Sequence, residues 1–154
     1  MRLTIYTDYT LRTLMHLGLN QDRLVTINDI AETHGISKNH LMKVVHQLGL
    51  SGMVETVRGR NGGLKLNKDP ADINIGEIVR HSENDFYMAE CFDRANNACV
   101  YAPACILKGV LGSATAAYLA VLDGVTLNDL ITKDAPRGNR KPAGKPIPIG
   151  IGKH

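Results

Sequence analysis

Apolar residues recur along the first half of the chain at helical rather than alternating intervals. Leu11, Leu14, Met15 and Leu17 share one side of a helix that begins at Thr7, capped by that threonine or through Asp8, and fades near Asn20. Thr26 caps a second helix, with Asp29 in capping-box position, Ile27, Ile30 and Ala31 facing inward, and Gly35 as the stop. Ser37 caps a third. Its inner face is Leu41, Val44, Val45 and Leu48, and its first turns expose Lys38, Asn39, His40 and Lys43. Two short helices joined by a tight glycine turn, with polar residues opening the second, predict a helix-turn-helix.

The period then shortens. Met53–Val57 reads as a strand and Leu64–Leu66 as its partner, with Arg58, Gly59, Arg60, Asn61, Gly62 and Gly63 between them. Asn61 and Gly62 are the turn signal. A hairpin with arginines at its tip, directly after a helix-turn-helix, predicts a winged helix. A short helix follows from Ile75 to about His81, preceded by Asn74 or by Asn67-Lys68-Asp69-Pro70. Residues 84–104 carry no period, and so long a loop in a compact domain points to function. A long helix then runs from about Pro103 to Leu122 and ends at Asp123-Gly124.

That helix is apolar on two sides. Leu107, Leu111, Ala114, Tyr118 and Val121 form one stripe; Ile106, Val110, Ala117 and Ala120 form another. Cover is needed on both, from its own domain and from a second subunit. Gly109, Gly112, Ala114, Ala116 and Ala117 permit close approach. Thr126 caps a last turn, Leu127 to Ile131, and after Lys133 the Pro-, Gly- and Lys-rich sequence predicts disorder. The fold class is mainly α with a small β-hairpin, a winged helix-turn-helix plus a long dimerisation helix. The expected division is a winged-helix DNA-binding domain over residues 1–81, a loop over 82–105, the dimerisation helix and a short C-terminal helix over 106–133, and a disordered basic tail over 134–154.

Charge sharpens this. The net charge is +3, but between Ser37 and Lys68 the basic residues Lys38, Lys43, Arg58, Arg60, Lys65 and Lys68 face Glu55 alone. The tail adds Arg137, Arg140, Lys141, Lys145 and Lys153, so the remainder is acidic on balance. A basic patch on an acidic body is a polyanion footprint. The 154 residues suffice for a core without disulfides. No charged-then-apolar leader is seen, and no uninterrupted apolar run is long enough to span a bilayer, so a cytoplasmic protein away from membranes is expected. An odd number of cysteines agrees with a reducing compartment.

The three cysteines, Cys91, Cys99 and Cys105, fall in one fifteen-residue stretch, CFDRANNACVYAPAC. Thiolates hold soft metals and iron–sulfur clusters. Structural zinc favours C-x-x-C pairs, which are absent. Electron carriers of the ferredoxin type use four cysteines. A cysteine nucleophile needs a base, and His81, the closest histidine in sequence, has no distinctive context, so no enzyme is expected. Three unrelated buried thiols are the plainest alternative. On the DNA side, Ser37 opens a helix whose free N–H groups can hold a phosphate. Asn39 suits adenine and Lys43 suits guanine in the major groove. Lys38 and His40 flank them, His40 as a cap or phosphate contact, and Arg58 and Arg60 suit phosphates or a narrow minor groove.

MRLTIYTDYTLRTL, IAETHGISKNHLMKVVHQL, VETVRGRNGGLKL, INIGEIV, AECF…C…PAC and YLAVLDGVTLNDL together resemble the NsrR family. This is the nitric-oxide-sensing branch of a winged-helix group of regulators that also contains IscR and RirA. The resemblance implies a homodimer on a double-stranded DNA operator, an iron–sulfur cluster, and repression lost on cluster nitrosylation. Cys91, Cys99 and Cys105 match the family's cluster cysteines, and Asp8 matches an aspartate that reaches the other subunit's cluster. A [4Fe-4S] cluster fits that ligand set, and a [2Fe-2S] cluster also takes four protein ligands. IscR uses a histidine where this chain has Lys108. The alternatives are an iron-responsive repressor of RirA type and an iron–sulfur electron-transfer protein.

Overall fold

The computed structural model describes residues 2–132; the tail expected to be disordered, 134–154, lies outside them. Helix α1 spans Ile5–Leu19, α2 Ile27–His34 and α3 Lys38–Leu50, followed by strands β1 (Val54–Val57) and β2 (Gly63–Leu66). Helices α4 (Ile75–Ser82), α5 (Ile106–Asp123) and α6 (Leu127–Ile131) complete the chain.

Local chemistry sets most boundaries. Thr26 and Asp29 form the expected capping box, and Gly35 closes α2 at φ 63°, a left-handed angle that glycine takes without a side-chain clash. Helix α1 starts earlier than its apolar spacing predicts. Thr4 is the cap, its hydroxyl accepting the Thr7 N–H at 3.2 Å, while Thr7 is buried inside the helix. The hairpin also departs from expectation. The Gly62 N–H donates to Gly59 C=O at 3.0 Å, which puts Arg60 and Asn61 at the centre of the turn, and the positive φ belongs to Gly59. Of the two candidate starts before α4, Asn74 caps that helix, whereas Asp69 caps a separate 3-10 turn, Pro70–Asp72.

In the hairpin Val54 stands opposite Leu66 and Val57 opposite Gly63. Val25, just before α2, exchanges two backbone hydrogen bonds with Leu64, at 3.0 and 2.7 Å. The wing is therefore stitched to the helix-turn-helix. Behind it one apolar core gathers Leu14 and Leu17 of α1, Ile30 of α2, Leu41 and Val44 of α3, and Leu64 of β2. Ile78 and Val79 of α4 and Leu127 of α6 extend the same cluster. Within it His16, only 9% exposed, places Nδ1 3.2 Å from His34 Nε2. Burial first, then the charges of His34 and Arg23, hold His16 below the usual imidazole range.

Helix α5 is fastened at its far end. Asn74 donates to the Asp123 carbonyl at 2.7 Å, and Arg80 grips both oxygens of the Asp123 carboxylate. That guanidinium holds Asp123 below the usual carboxylate range. A Cβ on Gly76 would sit 2.9 Å from the Asp123 nitrogen, so glycine lets α4 lie against this joint. Helix α6, with a Thr126–Asp129 capping box, returns to α1 at Gly18, where a Cβ would meet Ile131 Cδ1 at 2.9 Å.

The long helix has no buried residue. Ile106 is 84% exposed, Leu107 62%, Val110 58% and Val121 60%. Its own domain thus covers less of it than the sequence pattern predicts. Helix α5 is long and apolar enough to cross a membrane on length and composition alone, but Lys108 breaks its apolar run, in keeping with the expectation of no uninterrupted span.

Candidate nucleic-acid interface and thiol loop

The candidate nucleic-acid surface is built by α3 and the wing. Leu41, Val44, Val45 and Leu48 lock one side of α3 into the core, which turns Lys38, Asn39, His40 and Lys43 outward. Ser37 spends its hydroxyl on the cap, accepting the His40 N–H at 3.3 Å, so what it offers an anion is the start of the helix. The His40 ring lies 5.9 Å from that of Tyr9 on α1, tilted by 37°. On the wing, Lys65 pairs with Glu55 across the strands at 3.1 Å. Arg58 and Arg60 are exposed and make no ion pair among the described residues.

Unneutralised arginines on a rigid hairpin suit a phosphate backbone. Removing one phosphate contact lowers the salt slope of binding by about 0.9, so Arg58→Ala with Arg60→Ala should lower it by about 1.8. Anisotropy titrations against a short duplex between 50 and 200 mM salt, roughly the range over which such contacts matter, measure it. An unchanged slope would place the wing off the DNA.

The thiols lie between α4 and α5. The segment holds two 3-10 turns, Glu90–Phe92 and Ala102–Ala104. Pro103 belongs to the second of these and not to α5, because Cys105 is extended at φ −80°, ψ 110° and the helix begins after it. Polar side chains hold the loop. Glu90 accepts the Ala98 N–H at 2.7 Å, Asp93 accepts from Ala95 and Asn96, and Asn97 accepts the Cys99 N–H at 3.0 Å. The Asn96 and Ala95 bonds hold the Asp93 carboxyl below its usual range. Lys108 Nζ sits 5.8 Å from the centre of the Phe92 ring, a cation–π contact between the loop and α5.

All three cysteines are free; Cys91 is buried, and Cys99 and Cys105 are half-buried. Cys105 immediately precedes α5, at the N-cap position of that helix. In donor type this set fits an iron–sulfur group: three unpaired soft thiols within one short segment. Among the described residues, however, no three His, Cys, Asp or Glu side chains come together around one point.

Asp8 is placed elsewhere, in the first turn of α1. Its carboxylate is half exposed and meets Arg12 side-on, at 3.1 Å to Nε and 3.0 Å to Nη2. The structure gathers Lys38, Asn39, His40 and Lys43 on the exposed side of α3 and sets Asp8 against Arg12, not in a ligand cluster with the thiols of its own chain among the described residues. Sequence reading misses two long-range contacts beside these sites. One is the Tyr9–His40 ring pair. The other is Glu83, whose Oε1 accepts from the Thr4 N–H at 2.8 Å and the Thr4 hydroxyl at 3.2 Å. Residues so far apart leave no spacing signal.

Known proteins resemble this chain in sequence and in fold. The Rrf2 family profile, described as an iron-dependent transcriptional regulator, matches residues 3–133. The HTH-type transcriptional regulator NsrR of Bacillus subtilis is 58% identical over 132 residues, 85% of this chain and 90% of that protein. Its counterpart from Bacillus licheniformis is 56% identical over 132 residues, 85% and 92% of the two chains. The solved structure of T. potens IscR superposes with a TM-score of 0.68 at 25% identity, covering 85% of this chain and 86% of its own.

Proposed function

The chain belongs to the Rrf2 family of transcriptional regulators, and from that premise we propose that it is a homodimeric repressor whose iron–sulfur group senses nitric oxide. It is a DNA-binding transcriptional repressor with a winged-helix fold. The observation that carries the finer reading is the position of the free thiols. They sit on the segment that joins the DNA-binding half to the exposed helix α5. A group bound there touches both halves of the molecule.

In this reading Cys91, Cys99 and Cys105 hold the group, a [4Fe-4S] cluster, and Asp8 of a second copy completes the ligand set. The bound cluster supplies the centre that reacts with nitric oxide. The chain's own residues do the rest. Thiolates are soft, strong iron ligands and a carboxylate is a harder, weaker one, so Asp8 would be the weakest of the four holders. Arg12 waits one helical turn away to take its charge. The exposed apolar face of α5 packs on a second α5, with Gly109, which has open space beside it, allowing close approach. Two recognition helices then enter successive major grooves, roughly 34–36 Å apart. The role is regulatory and not enzymatic, and it is exercised on DNA in the cytoplasm.

One experiment tests this. Protein purified without oxygen should be coloured, contain iron and sulfide, and bind its operator as a dimer. Titration with nitric oxide should bleach that absorbance and weaken operator binding by about tenfold or more, within the usual range of allosteric coupling. Colourless, iron-free protein that still separates operator from random duplex would overturn the proposal. Release by iron depletion, with nitric oxide inert, would assign the iron-responsive role instead.

A further inference from the structure

We propose that α1 couples the thiol loop to the recognition helix within a single chain, with Glu83 and Tyr9 as its two positioning residues; this rests on the cluster-dependent reading above. Glu83 is the residue that closes α4, and the thiol loop begins at the next position. One oxygen of its carboxylate holds the start of α1, accepting from both the backbone N–H and the hydroxyl of Thr4. That hydroxyl in turn caps the helix by accepting the Thr7 N–H. A negative charge at a helix start is further favoured by the helix dipole. The beginning of the loop and the beginning of α1 are thus one hydrogen-bonded unit, although they lie 79 residues apart.

The second tie lies one turn further along α1. Tyr9 and His40 hold their rings 5.9 Å apart, within the range of a favourable aromatic pair. His40 stands in the first turn of α3, where its N–H is already fixed by Ser37 and its neighbours Asn39 and Lys43 face outward. Asp8 sits between the two ties, immediately before Tyr9. A helix moves as a rigid body, and packed side chains do not absorb a shift silently. A pull on Glu83 from the loop, or on Asp8 from outside, therefore reaches the DNA-facing turn of α3 through Tyr9. No other described contact joins the start of the thiol loop to α1 by a charged group.

The test is the ratio of operator affinities of cluster-loaded and cluster-free protein, read by fluorescence anisotropy. Wild type sets the ratio. In Glu83→Ala and in Tyr9→Leu it should fall to within about threefold of one, and the double variant should fall no further, because both residues serve one route. Tyr9→Phe, which keeps the ring, should retain the wild-type ratio. In cluster-free protein the His40 ring proton signals should shift in Tyr9→Leu. A merely structural role would weaken both forms equally and leave the ratio intact. Should Tyr9→Leu or Glu83→Ala disturb folding, Glu83→Gln is the milder probe and should narrow the ratio partway. Folded variants that keep the wild-type ratio, or a Tyr9→Phe variant that loses it, would overturn the proposal. A wild-type ratio of one would overturn the cluster-dependent reading as well.

Discussion

Cys91→Ser, prepared without oxygen, should yield a folded protein that carries no iron and binds its operator as weakly as the cluster-free chain. Cys91 is the buried member of the three thiols and sits in the Glu90–Phe92 turn. Serine matches its shape, and the contacts that fix this turn come from the Glu90 carboxylate and the Phe92 ring, not from the sulfur. The fold therefore survives the change. The donor does not: a hydroxyl stays protonated at neutral pH and is a poor ligand for iron in a sulfide cluster, and two thiolates remain where three are needed. Operator affinity should drop by about 5- to 150-fold, the span typical of allosteric coupling. Iron and sulfide analysis, the visible spectrum and anisotropy titration check it. Wild-type iron content with wild-type operator affinity would remove Cys91 from the ligand set.

Leu127→Ala should cost about 2–5 kcal/mol of unfolding free energy, the range for emptying a large apolar side chain from a packed core. Leu127 is 0% exposed and belongs to the same core as Leu14 and Leu17. It sits where little can collapse into the gap. On one side α6 is already pressed onto Gly18 of α1, with Leu127 Cδ2 3.6 Å from the position of a Cβ there. On the other its backbone is held by the Ile73 carbonyl at 2.8 Å. Since small domains are stable by only about 5–15 kcal/mol, this loss is a large share of the total. Urea unfolding of the cluster-free protein should show a lower midpoint with an unchanged slope. A midpoint within error of wild type would mean that α6 contributes nothing to the core.

What the sequence reveals and what it hides follow from the range of the interactions. Thr26 with Asp29, Ser37, Gly35 and Thr126 act on neighbours three or four positions away, so their spacing alone identifies them. The start of α1 is ambiguous because Thr4 and Thr7 are both competent caps, and only burial of Thr7 separates them. The wing turn is misread for a similar reason. Asn61-Gly62 is a strong turn pair, yet Gly59 takes the positive φ and shifts the turn by one residue. The start of α5 is displaced from Pro103 to Ile106 because proline suits the first turn of a 3-10 segment as well as of an α-helix. The thiols stand out by chemistry alone. Asp8 does not: its Arg12 pair looks like any surface contact one turn apart on a helix. Glu83 and Tyr9 are legible only in three dimensions, since nothing in the chain announces a bond across 79 positions.

The return of α6 onto Gly18 bears on how the molecule is made. Synthesis proceeds from the first residue, so α1 emerges from the ribosome long before the segment that seals it. Until residue 131 is free, the groove at Gly18 stays open to water, and the last short helix acts as a latch that closes only on a chain whose translation has passed that point. A nascent chain stalled anywhere inside α5 would display that open groove together with an apolar helix lacking any cover. Such a fragment would expose apolar surface that α6 covers in the finished domain.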